Sequence, residues 1–327
     1  MQNLSKFGIL DRLLWLRTRI GLPFLTILTY HRVGDPSAIG ELDPDVREAD
    51  ANGLSEQIAV VRSTGTIVSL EEVRAFFQGK RSPPNPVMLA FDDGYVDCRD
   101  VILPILQKEG VPATFFIPTA YPDSGRLFWW DRISLILHRC RIPAVELRYP
   151  FPLSFDFTTG KEHARRVLLR LVKRTPALDL GRFFDELERA TGVAIDASEE
   201  QKIAKSTIMS FRDVKALHDA GMAVASHSHA HRVLATLSPD DALLDLQKSK
   251  HLLRDVLGTD VRTIGYPVGH RVTGMTRRAA GLAGFDLGFT NATGLCWPGG
   301  VDPLNVPRLA IGQDEPAEIY KWRMLVG

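Results

Sequence analysis

Val87-Met88-Leu89-Ala90-Phe91-Asp92-Asp93-Gly94-Tyr95 decides the fold class of this chain. The five apolar residues at its start are too few for a helix and predict a buried strand. Two carboxylates end that strand and a glycine follows at once, so the backbone turns where two like charges stand together. Such a pair is costly unless a cation or a shared proton compensates it. Far downstream, Ser226-His227-Ser228-His229-Ala230-His231 supplies imidazoles at the end of another apolar run.

Outward from this strand, short apolar runs alternate with helical patterns, the mark of an α/β protein with a parallel sheet. Strands are expected over 24–30, 66–69, 87–91, 113–117, 222–225, 263–266 and 287–290. Helices are expected over 54–63, 70–77, 101–109, 211–220, 240–257 and 273–283. Gly110, Gly221 and Gly284 each follow a helical pattern and precede a strand, as helix-ending glycines do. The alternation lapses between about 121 and 210, where Phe128-Trp129-Trp130-Asp131 opens a stretch read as a mostly helical insertion. The expected organisation is an amphipathic N-terminal helix over 1–23 and one domain over 24–327 that carries the insertion.

The bulk numbers exclude several classes of function. A formal net charge of +1 offers no general attraction for nucleic acid. Cys98, Cys140 and Cys296 are odd in number, widely spaced and without a CxxC pair, so reduced buried thiols are expected rather than a disulfide framework. No apolar run is long enough to span a bilayer. Charged Asp11, Arg12, Arg17 and Arg19 interrupt what would be the apolar core of a secretory signal. The expected location is therefore cytoplasmic, including the inner face of the membrane. Leu4, Phe7, Leu10, Leu13, Leu14 and Ile20 recur at helical spacing; packing on the domain is the expectation and peripheral membrane contact the alternative.

The chemistry rests on three candidate ligands. His227 and His231 are four apart after a strand, and Asp93 would add an oxygen. Two histidines and one carboxylate leave positions open for water and substrate, as in a catalytic zinc site. Adjacent side chains at a strand end point differently, so Asp93 can ligate while Asp92 serves as the base that deprotonates water. Trp129 and Trp130 have helical spacing with Ile133 and Ile136, which favours core packing over a sugar-stacking face. Tyr95 and Tyr266 are candidate substrate contacts.

Leu89-Ala90-Phe91-Asp92-Asp93-Gly94-Tyr95 and Ser226-His227-Ser228-His229-Ala230-His231 resemble the first two signature motifs of the polysaccharide deacetylases, the NodB-homology family. Ile264-Gly265-Tyr266-Pro267-Val268-Gly269 resembles the third motif in its Tyr-Pro-x-Gly form, and Leu28-Thr29-Tyr30-His31-Arg32-Val33 the Tyr-His opening strand of a subset. The resemblance covers about 25–310 and implies an incomplete (β/α) barrel of about seven parallel strands. It also implies metal-dependent removal of N-acetyl groups from amino sugars. Asp92 matches the general base, while Asp93, His227 and His231 match the ligands of one divalent metal, with Zn2+ expected first and other divalent transition metals as alternatives. Val268 matches the backbone donor to the oxyanion, and His229 falls on a variable position.

Three departures from the family pattern stand out. The arginine that often braces the base is replaced by Gly265; Arg262, Arg271 and Arg308 are candidates to substitute, with Arg308 preferred. No histidine follows His270, so the usual late acid is missing, and so is the aspartate that orients it. His31 is the first candidate acid and His270 the second. The expected substrate is an acetylated amino sugar, with a lipid-linked or nucleotide-linked precursor favoured over mature polymer. A non-catalytic sugar-binding member and an O-acetyl esterase or N-deformylase are the alternatives.

Overall fold

The computed structural model describes residues 8–20, 24–270, 272–294, 296–297 and 299–326. The described residues form twelve strands: β1 (Thr26–Tyr30), β2 (Arg32–Val33), β3 (Arg47–Ala49), β4 (Thr66–Ile67), β5 (Pro86–Phe91), β6 (Thr114–Ile117), β7 (Ala144–Leu147), β8 (Leu153–Asp156), β9 (Ala223–Ser226), β10 (Thr263–Gly265), β11 (Leu287–Phe289) and β12 (Leu309–Ala310). Eight of them form one parallel sheet in the order β11-β10-β9-β6-β5-β1-β12, with β4 paired to the first half of β5. The sheet curls into an incomplete (β/α) barrel. Val306 bridges Phe289 while Leu309 pairs with Leu28, so one short segment spans the gap between β11 and β1.

Alternation along β5 sorts its side chains between two cores. Val87, Leu89 and Phe91 face outward to the layer of helices, and Phe91 stacks between Tyr30 and Phe115 with ring centroids 5.3 Å apart on each side. Met88 and Ala90 face the barrel interior, together with Ile27, Phe116, Ala225 and Phe289. Asp92 continues that inner row. The β5 carboxylates are therefore delivered to the mouth of the barrel, where parallel α/β sheets build their sites.

Local signals agree with the helix boundaries. Ser69 with Glu72 and Ser210 with Asp213 form capping boxes at the starts of Leu70–Phe77 and Phe211–Asp219. Gly110, Gly221 and Gly284 hold φ of +63°, +85° and +86° where helices give way to strands. Between 121 and 210 lie four helices, Trp129–Arg139, Glu162–Arg174, Leu180–Thr191 and Ala197–Thr207, and also the antiparallel β7–β8 hairpin, which the helical pattern had hidden. This region has its own core around Phe128, Ile133, Leu168, Phe183 and Leu187.

The three cysteines are free and buried. No described helix is long and apolar enough to cross a membrane. Helix Ile9–Ile20 lies against helices Ala51–Thr64 and Ala317–Val326. Its Leu10 is buried, whereas Leu13, Trp15 and Leu16 are exposed; Leu4 and Phe7 of the expected pattern lie outside the described residues.

Candidate metal centre

Asp93, His227 and His231 offer ligand atoms that all lie within 4.8 Å of one another. Asp93 follows β5 and His227 follows β9; His231 sits on the loop beyond. Oδ1 of Asp93 is 3.2 Å from Nε2 of His231 and 3.7 Å from Nε2 of His227. The loops reach this arrangement through unusual backbone: Asp93, Ser228, His231 and Val268 hold φ of +71°, +64°, +50° and +55°. Four non-glycine residues in the left-handed region at one site mark a geometry imposed by the surrounding fold.

Neighbouring groups prepare each side chain. Nδ1 of His227 donates to the Gly265 carbonyl at 2.7 Å, which leaves the Nε2 lone pair facing the carboxylates. Burial lowers the His227 pKa to about 4, so the ring is neutral. The His231 ring lies 4.4 Å from that of Trp130, its backbone N–H donates to Ser228 Oγ at 3.1 Å, and Trp129 Nε1 donates to its carbonyl at 3.2 Å. Burial raises the Asp93 pKa, but the neighbouring His231 outweighs it and holds the group at about 2. Oδ1 of Asp93 and Nδ1 of His231 are buried without hydrogen-bond partners. Such orphaned atoms are costly unless something unseen binds them. With a carboxylate and two imidazoles converging, these residues fit one divalent cation.

Asp92 is held differently. Arg308, ahead of β12, donates from its two terminal nitrogens to the two oxygens of Asp92, each at 2.8 Å. The guanidinium also donates to the Thr290 carbonyl at 3.1 Å and to Asn291 Oδ1 at 2.5 Å. Burial opposes ionisation of Asp92, but the charge of Arg308 prevails and keeps its pKa below the ordinary value. Gly265 explains why the brace comes from here. A Cβ at that position would lie 2.9 Å from the Phe116 ring and 3.2 Å from Nδ1 of His227.

A cavity of about 520 Å³ opens above these groups, lined among others by Asp93, His227, His231, His31, Val268 and Asn291. Nδ1 of His31 lies 2.7 Å from Oε1 of Glu48, whose other oxygen accepts from the backbone N–H groups of His31 and Arg32. Burial favours the neutral ring, yet Glu48 outweighs it and raises the His31 pKa to about 10. Glu48 orients the His31 ring and was not found by the sequence reading; it sits on β3, whose pairing with β2 no periodicity announced. Asp245 was also missed, and it accepts from the N–H groups of His229 and Ala230 to fix the ligand loop.

Two expected substrate contacts are corrected. Tyr95 is fully buried, its hydroxyl donating to Asp131 at 2.9 Å and accepting from Trp130 Nε1 at 2.7 Å. Tyr266 is buried too, its hydroxyl donating to the Leu304 carbonyl at 3.0 Å. Both phenols are satisfied within the core and do not line the cavity. Trp129 and Trp130 are core residues whose edges reach the cavity wall. His229 turns away toward Thr119 Oγ1, 2.9 Å off, and His270 sits exposed at the rim. Arg262 pairs with Asp286, and Arg271 lies outside the described residues.

A family model described as polysaccharide deacetylase matches residues 79–139 and 191–288. No curated protein matches the chain by sequence. Among solved structures, the Streptococcus pyogenes deacetylase PplD in complex with acetate is 19% identical with a TM-score of 0.59, over 92% of this chain and 99% of that one. IcaB from Ammonifex degensii is 18% identical with a TM-score of 0.57, over 92% and 97%. A de-N-acetylase from Aggregatibacter actinomycetemcomitans is 17% identical with a TM-score of 0.56, over 90% and 96%. At such identities the structures speak for the fold. The family match spans the paired aspartates and the histidine loop, and the chain belongs to the polysaccharide deacetylase family.

Proposed function

We propose that this protein is a metal-dependent hydrolase that removes an N-acetyl group from an amino sugar during polysaccharide or lipid-linked glycan assembly, acting in the cytoplasm or at the inner membrane face. The observation that carries the reading is the division of labour in one cavity. Asp92 is locked as a carboxylate by Arg308, and Asp93, His227 and His231 converge beside it. Family membership and the deacetylase names of the fold neighbours support the same chemistry.

Asp93, His227 and His231 would hold a divalent cation, zinc as the first choice, which would supply Lewis acidity toward the amide carbonyl and water. Asp92 accepts the proton of the attacking water, its two oxygens oriented by Arg308. The N–H of Val268, at the cavity wall and without a hydrogen-bond partner among the described residues, donates to the oxygen on which negative charge develops. His31, protonated and held through Nδ1 by Glu48, donates from Nε2 to the departing amine. A sugar-binding role without turnover leaves both the Arg308 brace and the His31–Glu48 pair without a purpose.

The test is metal content together with acetate release from N-acetylglucosamine oligosaccharides and glycosyl phosphates. One metal per chain is expected, with acetate release by wild type and a fall of at least ~100-fold in Asp92→Asn. Stoichiometric metal with no acetate from any acetylated sugar would refute the enzyme reading.

A further inference from the structure

Helix Glu162–Arg174 places Arg166, Arg170, Lys173 and Arg174 along one face, at positions i, i+4, i+7 and i+8. All four line the same cavity as Asp93, His227 and His231. Arg166 spends part of its charge on Glu162, 2.5 Å away. Arg165, on the buried face, neutralises Asp43 and Asp45 of the opposite wall. Arg170, Lys173 and Arg174 make no hydrogen bond or ion pair with any described residue. Arg170 and Arg174, both exposed, are thus left without a carboxylate partner on one wall of the cavity, and the half-buried Lys173 beside them faces the carboxylates of Asp43, Asp45 and Asp93. The helix belongs to the stretch 140–190 that lies outside the residues matched by the family model.

We propose that this row binds a phosphoryl group on the substrate, so that the amino sugar is presented as a glycosyl phosphate or diphosphate. The inference rests on the deacetylase reading and specifies its substrate class. Two guanidinium forks and an ammonium match the two to three negative charges of a sugar diphosphate, and guanidinium pairs with phosphate oxygens in bidentate fashion. A lone carboxylate would leave most of this charge unanswered.

Binding of N-acetylglucosamine 1-phosphate and of methyl N-acetylglucosaminide to the metal-loaded protein, measured calorimetrically, tests this independently of turnover. Wild type should bind the phosphate at least ~10-fold more tightly, and the Arg170→Ala, Arg174→Ala double variant should lose that preference while binding the uncharged glycoside as before. Equal affinity for the two ligands in wild type, or a preference that survives in the double variant, would overturn the phosphate site even if acetate is released. Failure of the deacetylase reading shows itself separately, as absent acetate with phosphate binding intact. Comparing kcat/KM for UDP-N-acetylglucosamine with that for N-acetylglucosaminyl diphosphoryl farnesol then tells a nucleotide source from a lipid one.

Discussion

Arg308 and Asp92 are 216 positions apart and meet through two parallel hydrogen bonds of 2.8 Å, both side chains fully buried. This fork sets the charge and the direction of the carboxylate assigned as base.

Replacing Arg308 by methionine leaves Asp92 buried without its counter-charge. A stability loss of about 3–5 kcal/mol is expected at neutral pH by urea denaturation. Because Arg308 depresses the Asp92 pKa, its loss raises that pKa and moves the acidic limb of the activity profile to higher pH. Arg308→Lys keeps the charge but not the fork, so it should retain more stability than methionine and still lose rate. An acidic limb unmoved in both variants would contradict the brace.

The His31–Glu48 pair predicts an alkaline limit to activity. The folded His31 pKa is raised to about 10, above its unfolded value. The pair's contribution to stability is therefore complete below the ordinary histidine range and lost as pH rises through the folded value. NMR titration of the ring should show the raised pKa in wild type and a fall toward the ordinary value in Glu48→Gln. The alkaline limb of kcat should move to lower pH in that variant. A His31 ring titrating normally in wild type would remove it as the acid.

Metal should stabilise the fold. Adding zinc to the metal-free protein at 100 times its dissociation constant is worth about 2.7 kcal/mol, visible as a rise in Tm. The rise should vanish in Asp93→Asn and His227→Ala. An equal rise in those variants would place the metal elsewhere.

Gly265 tests the packing behind the site. A methyl group there meets the Phe116 ring and the Nδ1 edge of His227. Gly265→Ala should cost about 1–3 kcal/mol of stability and weaken metal affinity, because the ligand ring must shift. Unchanged metal affinity with unchanged Tm would show that the contact is relieved freely.

The β5 strand, its paired acids and the histidine loop were readable because hydrophobic runs and motif spacing are local properties of the chain. Most sheet strands declare themselves as apolar runs, and helix ends as glycines or capping residues. β12 did not: Leu309–Ala310 is two residues long and is a strand only because β1 offers it an edge. Glu48 was invisible for the same reason, since nothing in Val46-Arg47-Glu48-Ala49 suggests a site until β3 pairs beside β2. Tyr95 was misjudged because adjacency to catalytic acids does not say which way a ring turns; the Asp131 and Trp130 partners decide that.

By itself the sequence determined the α/β class, the strand that ends in Asp92-Asp93 and the residue types able to hold a metal, all of which depend on neighbours a few positions away. Only the tertiary structure decided which arginine braces Asp92, which acid orients His31, which aromatics turn inward and that a row of cations overlooks the cavity. These are contacts between residues tens to hundreds of positions apart. Their partners are chosen by the curvature of the barrel and the docking of the insertion, which no local pattern encodes.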